Sequence, residues 1–485
     1  MSPPRQALGR GAARRETLSQ AAPVGVTIRH TMRGFAPLVV VVLAMSAPAI
    51  ARADQRADQG ADAARIEIYH EFRTAFDAHR FKEALPLAAK LVQTTEDQYG
   101  ANDRALVNPL TNLGTTQYRL ADYAAAEQTY LRGIKIVEDG GAGADRLLLQ
   151  PLHGLGATYF ARKQYEEASA ILKRALDLSR NLDGLFNAQQ MQILEPLISS
   201  LVELERHDEA DREFQYSVRV AENAYGKGDL HLLRPLDRYA RWTERMGRYT
   251  TARALYARAL TIAEQVAGPT SMLTVDPLTG IARSYRLELV NGPEEGTDPV
   301  IDPLDPGTGL FPGALPAQRL NPGGEQALAV AIRVIEKNPP LDHARRADTL
   351  VELGDWYMCT GAEPKAIDAY RAAWQDFSLA GSTAPLAAPR LLTYHPPSSA
   401  ITRAHLNADN IEEHFVETRF TVTRDGKVTD VAAISSDAPE SQQKKVVAAV
   451  KRARYAPRFE QGDPVETTGV TLRERLVTKR SSDSG

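Results

Sequence analysis

Apolar positions recur along this chain with a step of 42 residues. Alanine stands at 84, 126, 168, 210 and 252, preceded by three residues in each case by Phe81, Tyr123, Tyr165, His207 or Tyr249. Four residues past the alanines, Tyr130, Leu172, Phe214 and Tyr256 supply a bulky partner. Spacings of three and four place side chains on one helical face, so each block predicts a helix with an apolar stripe. Two further slots hold mostly small residues: Gly114, Gly156, Ile198 and Ala240 before the alanines, and Leu91, Gly133, Ala175, Ser217 and Ala259 after them. Small side chains let paired helices approach closely.

The polar positions punctuate these helices. Asp103, Asp145, Asn187, Asp229 and Ser271 share one register, and each has a side-chain oxygen able to accept from the free amides of a first helical turn. Gly100, Gly184, Gly226 and Gly268 share another, where the preceding helix must stop. Each unit is therefore a helical hairpin, and a fixed period of this kind predicts a stacked array. The fold class is mostly α: an α-solenoid of about seven hairpins over residues 62–378.

Periodicity breaks once. A Pro/Gly-rich insertion at 291–323 delays the next second helix to Gly324, after which Gly354, Ala366, Tyr370 and Ala373 resume the frame. It is either a tolerated surface loop or a partner-binding segment. Prolines also recur, in NPLTNLG, QPLHGLG, RPLDRYA and DPLTGIA, at Pro109, Pro151, Pro235 and Pro277. Counted from the caps, each falls in a second turn and would kink its helix. Alternatively the first helix begins at Asn108 and proline only stiffens its start.

Beyond residue 378 the period changes. Residues 379–410 read as a linker. HFVETRFTV and KVTDVAAIS flank Asp425-Gly426 as a hairpin, SQQKKVVAAVKRA is an amphipathic helix, and PVETTGVTLRERLVT is a third strand. Residues 411–479 are thus a small α+β domain of ββαβ order.

Two resemblances follow. Leu113-Gly114, Tyr123-x-x-Ala126, Tyr130 and Gly133 resemble the tetratricopeptide repeat, and the 42-residue period with Gly100 to Asp103 resembles its kinesin-light-chain variety. That resemblance implies a concave groove lined by first helices. Its groove positions would be Asn108, Gln150 and Gln192, whose amides can clamp a peptide backbone. Arg234, Arg241 and Arg283 could hold a carboxylate there. The same rows continue through Asp276 and Asp348, and through Asp355.

The C-terminal order, with Arg424-Asp425-Gly426-Lys427-Val428, Arg452 to Pro457 and YHPPSSA at Tyr394, resembles the C-terminal domain of TonB. This implies binding by strand addition at the edge of the last strand, with Thr471, Arg473 and Arg475 on one side and an outer-membrane receptor segment as a possible partner. A TonB energy transducer also needs a membrane helix and a long Pro-rich spacer. Here a helical array stands in their place.

Composition narrows the function classes. The 485 residues are 43% hydrophobic and 25% charged, with a net charge of -3. That is globular material without the basic excess of a nucleic-acid binder. The segment FAPLVVVVLAMSAPAIARA, preceded by Arg29 and Arg33 and ending Ala51-Arg52-Ala53, reads as a signal peptide over residues 1–53, with Met32 as a possible true start. Cleavage would leave a periplasmic protein starting at Asp54, with no transmembrane helix. An uncleaved segment would instead be an anchor.

The single cysteine, Cys359, permits no internal disulfide and reads as a small buried apolar residue. His207 occupies an aromatic packing slot, while His405 and His414 lack the spacing of a metal site. YGKGD at Tyr225 has the wrong glycine spacing for a phosphate loop. Glu294, Glu295 and Asp298 in the insertion have no base or nucleophile beside them. The basic run from Lys444 to Arg458 is either a solvated helix face or a contact for anionic lipid or cell-wall polymer. The expectation is a non-enzymatic periplasmic adaptor for protein or peptide partners, without cofactor, metal or nucleic acid. The alternative is a membrane-anchored TonB-like energy transducer for outer-membrane transport.

Overall fold

The computed structural model describes residues 48–141, 145–292, 323–397 and 411–479. The apolar core of the signal segment, the carboxylates Glu294, Glu295 and Asp298, and His405 lie outside them. By its contacts the chain divides into Met1–Gly60 and Ala61–Gly485. The described part of the first unit is helical, and all that follows concerns the second.

Fourteen helices pair as seven hairpins: α1 (Pro48–Asp77) with α2 (Phe81–Tyr99), α3 (Val107–Arg119) with α4 (Tyr123–Asp139), α5 (Leu149–Ala161) with α6 (Tyr165–Asp183), α7 (Gln190–Glu203) with α8 (His207–Tyr225), α9 (Leu233–Arg245) with α10 (Tyr249–Ala267), α11 (Val275–Asn291) with α12 (Gly324–Lys337), and α13 (His343–Cys359) with α14 (Glu363–Leu379). From α2 onward each helix packs on the next along the chain, within a hairpin and between hairpins alike, and α1 joins α2 through Phe72, Ala75, Ala84 and Ala88. The five punctuating alanines are fully buried. Their small neighbours admit the bulky slot: a Cβ on Gly114 would lie 2.9 Å from the Tyr130 ring, one on Gly156 2.5 Å from Leu172, and one on Gly354 2.4 Å from Tyr370.

All five caps form. The side chains of Asp103, Asp145, Asn187, Asp229 and Ser271 accept from the amide two residues on, at 2.8 to 3.3 Å. The stop glycines Gly100, Gly184, Gly226 and Gly268 have φ of 84 to 96°, the left-handed backbone that glycine enters without strain. Four of the capped segments, all but that of Asn187, open as a short 3-10 turn, and the α-helix starts only afterwards, at Val107, Leu149, Leu233 and Val275. Pro109, Pro151, Pro235 and Pro277 therefore lie in first turns, where a missing amide costs nothing. The row of kinked helices is not found.

The C-terminal module holds β1 (Arg390–Thr393), β2 (Ile411–Val422), β3 (Val428–Ser436), α15 (Glu440–Arg452), β4 (Arg454–Ala456), β5 (Arg458–Glu460), β6 (Asp463–Val465) and β7 (Thr467–Lys479). The expected hairpin, helix and last strand are β2, β3, α15 and β7, joined in one antiparallel sheet of order β3-β2-β7. Val416, Phe420, Val446, Val450, Tyr455 and Leu476 form its core, with Tyr394 packed against it. The Asp-Gly loop is fixed from below, because the Tyr455 amide donates to the Gly426 carbonyl at 3.0 Å.

One difference from expectation decides how the two parts relate. The stretch expected to be a linker contains β1, which pairs antiparallel with β4 of the expected domain, where β5 also pairs with β6. These short strands belong to the solenoid as much as to the sheet. A single apolar cluster contains Leu350, Tyr370 and Phe377 of the last hairpin, Leu386 and Leu392 of the connecting stretch, and Ala456 and Phe459 of the module. Phe459 meets the Tyr370 ring edge-on, with centroids 5.9 Å apart. The module is built onto the last hairpin through this shared core.

Candidate groove and sheet edge

First helices neighbour one another along one side of the array, α3 against α5, α5 against α7, α9 against α11 and α11 against α13. Pro109, Pro151, Pro235 and Pro277 turn inward and are buried, as are Ile193 and Thr349 at the same positions of α7 and α13, so the residue before each turns out. Asn108, Gln150, Gln192, Arg234, Asp276 and Asp348 are accordingly all exposed. They form one polar row, a residue per hairpin.

The three arginines already have carboxylates. Arg234 pairs with Glu195 of the preceding hairpin, and Arg241 with Asp237 one turn back at 2.9 Å. Arg283 is largely buried, donating to Glu244 at 3.0 Å and to the Tyr256 hydroxyl at 2.8 Å. Burial opposes its charge, but Tyr256, Glu244 and Glu352 outweigh that and hold its pKa above the ordinary value. A buried guanidinium persists only when paired in this way. Of the three, Arg234 is the most exposed.

Arg283 opens a chain of alternating charge absent from the expectations. Glu352 stands 4.0 Å from Arg283 and 3.1 Å from Arg286, which lies 3.8 Å from Asp355. Asp355, only 1% exposed, receives both Arg390 guanidinium nitrogens at 2.6 Å and the Tyr370 hydroxyl at 2.7 Å. Arg390 belongs to β1, so the module closes this end of the first-helix layer with its own cation. A recurring offset could have found the cross-hairpin pairs: Glu195–Arg234 and Glu244–Arg283 are both 39 residues apart.

Between α7, α8 and α9 the layer opens into a cavity of ≈ 180 Å³. Its floor is apolar, with Ile198 and Phe214, and its rim carries Gln192, Glu195, Arg234 and Arg238. Arg238 lies 3.3 Å from Glu195 and 6.0 Å above the Phe214 ring.

The sheet has two different edges. On β3 the pairing with β2 is broken twice, and Asp430 has φ of 54°. Such bulges twist an edge away from further pairing. On β7 the register with β2 runs unbroken from Lys479 to Val470. Thr471, Arg473 and Arg475 alternate outward on its solvent face. Arg475 pairs with Glu413, and the Arg473 guanidinium stands 3.9 Å over the Phe415 ring. These side chains frame the edge from one face.

Of the remaining candidates, His207 packs edge-on to Trp242. His414 lies 3.8 Å from Glu412 and from Asp437, but no group of three metal-ligating residues occurs among the described residues. Burial pushes the Cys359 thiol up. Among the described residues no helix is long and apolar enough to cross a membrane.

The architecture is that of a helical-repeat scaffold carrying a small strand-edge module. The comparisons agree. Tetratricopeptide-repeat family models match residues 152–182 and 189–265, and the model for the Gram-negative bacterial TonB protein C-terminal domain matches residues 412–473. The chain thus contains tetratricopeptide repeats and a TonB C-terminal-type domain, a combination consistent with protein or peptide partners. None of these models describes an enzyme family.

Similar solved structures include the TPR-like repeats of a Podospora anserina protein named as a kinesin light chain, at 14% identity and a TM-score of 0.38, covering 41% of this chain and 95% of that one. BtubC from P. vanneervenii is 12% identical, with a TM-score of 0.38, covering 59% of this chain and 96% of that one. The C-terminal part of a TPR protein from Cytophaga hutchinsonii is 12% identical, with a TM-score of 0.39 and coverage of 65% and 97%. No curated protein matches this sequence.

Proposed function

We propose that this chain is a periplasmic, non-enzymatic adaptor. Its hairpin array binds protein or peptide along the row Asn108, Gln150, Gln192 and Arg234, with Arg241 and Arg283 beside it, and β7 takes a strand from a second envelope partner. A segment of an outer-membrane receptor is the partner class that the TonB-type domain suggests. One observation carries the reading: the unbroken strand β7 belongs to a module whose β4 and β5 share an apolar core with the last hairpin. One chain thereby presents two binding surfaces without a flexible tether.

The test is partner capture from envelope fractions of the native host, comparing wild type with Arg234→Glu and with Arg473→Glu/Arg475→Glu. The groove variant should lose one set of partners and the edge variant another. Retention of every partner by both would sink the proposal. Location is tested by intact mass: a soluble species beginning at Asp54 fits the adaptor, whereas an unprocessed species held in the inner membrane would favour the anchored transducer.

A further inference from the structure

The cavity between α7 and α9 has a twin. A second cavity of ≈ 260 Å³ opens between α1, α2 and α3. Its lining residues are the same repeat positions three 42-residue steps earlier: Tyr69, Asn108 and Asn112 correspond to Glu195, Arg234 and Arg238. Elsewhere in the layer the first helices pack directly on one another. Among the described residues, cavities of this kind thus flank the groove at two equivalent points.

Their chemistry differs in a directed way. The first holds exposed apolar groups, Ile66, Tyr69 and Tyr99, beside the neutral amides Asn108 and Asn112, and its one lining cation, Arg65, is matched by Asp62 at 2.9 Å. At the second, Arg234 and Arg238 share the one carboxylate Glu195, and Arg241 pairs with Asp237. One positive charge remains over. An apolar cavity of about 150 Å³ accommodates a benzene ring, so each point has room for one large side chain. Between them lies the exposed amide of Gln150.

We infer that the groove ligand is a single extended peptide with two large apolar side chains, one per cavity, and a carboxylate next to the second. Packed helices lie about 8–10 Å apart, so three steps span about 24–30 Å. An extended chain rises about 3.3 Å per residue, which sets the two anchors about eight residues apart. This inference rests on the groove-binding reading and adds a spacing rule and a polarity to it.

The test uses the full chain and fluorescein-labelled synthetic peptides, each carrying two tryptophans with an Asp-Asp pair beside one of them, the Ser/Gln spacer running from about 2 to about 12 residues. Fluorescence anisotropy should show tightest binding near the eight-residue spacing, at least about tenfold tighter than a single-tryptophan control, because the second anchor binds intramolecularly. Ala105→Trp, at an exposed position lining the first cavity, should return affinity to the control level. So should Arg234→Glu/Arg238→Glu, through the loss of carboxylate pairing. Thermal melting of both variants at the wild-type temperature establishes that they fold.

Binding that is independent of spacing would overturn the two-anchor inference and leave the groove reading standing. No binding by any peptide would end both. A concentration-dependent dimer in sedimentation, abolished by Ala105→Trp, would give the cavity to a second copy of the chain and likewise overturn the inference.

Discussion

The helical array and the terminal module bury their apolar surface by opposite means. In the array every interface joins chain neighbours: Glu96–Arg132 and Glu138–Arg174 are each 36 residues apart, and Glu166–Arg206 is 40. The module adds remote pairings to its local hairpins. Arg371 reaches Asp463 across 92 residues, and Thr418 reaches the Leu472 carbonyl across 54. A stack of like interfaces can form anywhere and propagate, whereas β2 has to wait for β7, almost the end of the chain. The array should therefore fold locally, and the module only once the last hairpin exists to receive it.

The largest effect should come from separating the two. Removing residues 411–485 strips Ala456 and Phe459 from the joint core, so α13 and α14 should lose amide protection in hydrogen exchange while α3 to α10 keep theirs. Unchanged protection across α13 and α14 would mean that the module is an appendage. Next comes Asp355→Ala, which leaves Arg390 without its buried counter-charge and Arg286 with Glu352 alone. Denaturant unfolding should show a loss of about 3–5 kcal/mol, against little change for the surface pair Lys135–Asp139.

Within the array the effects should be smaller and confined to one interface. Gly156→Val sets a Cβ 2.5 Å from Leu172 and should cost about 1–3 kcal/mol by overpacking. Asp145→Ala removes a cap that accepts from the Leu147 amide at 2.9 Å, worth about 1 kcal/mol. Smallest is the pH response at Glu209, whose carboxyl is held down to about 2 by Arg206 and then by Lys173. A depressed carboxyl stabilises the fold above its unfolded pKa near 4.5. That contribution fades as pH falls toward 2, and Glu209→Gln should flatten the melting curve over this acid range by less than about 1 kcal/mol, as expected of a half-exposed, solvent-screened pair.

The contrast also explains what the sequence could tell. Repetition made Ala84, Tyr130, Asp103 and Gly100 legible, because each could be checked against at least three equivalents. β2, β3 and β7 were legible from alternation. The strands β1, β4, β5 and β6 were not: each is three or four residues long, too short for a periodic signal, and β1 and β4 exist only because each has a partner distant in sequence. The prolines were ambiguous because the 3-10 turn ahead of each helix leaves no mark in the pattern. At the groove, Asn108, Gln150 and Gln192 could be placed by register. The continuation of the charged chain from Arg286 to Glu352 could not, since the insertion separates the two residues.

The caps and stop glycines carry one more consequence, for how such a chain changes over generations. Because five hairpins begin on caps in one register, Asp145 and Asn187 are interchangeable junctions, and excising the 42 residues from one to the other would rejoin like with like. The array can thus gain or lose a whole cassette by unequal recombination without disturbing the joint at Asp355 and Arg390. The outcome would be a family of lengths sharing one terminus, each presenting its strand edge one increment nearer to or farther from the opposite end.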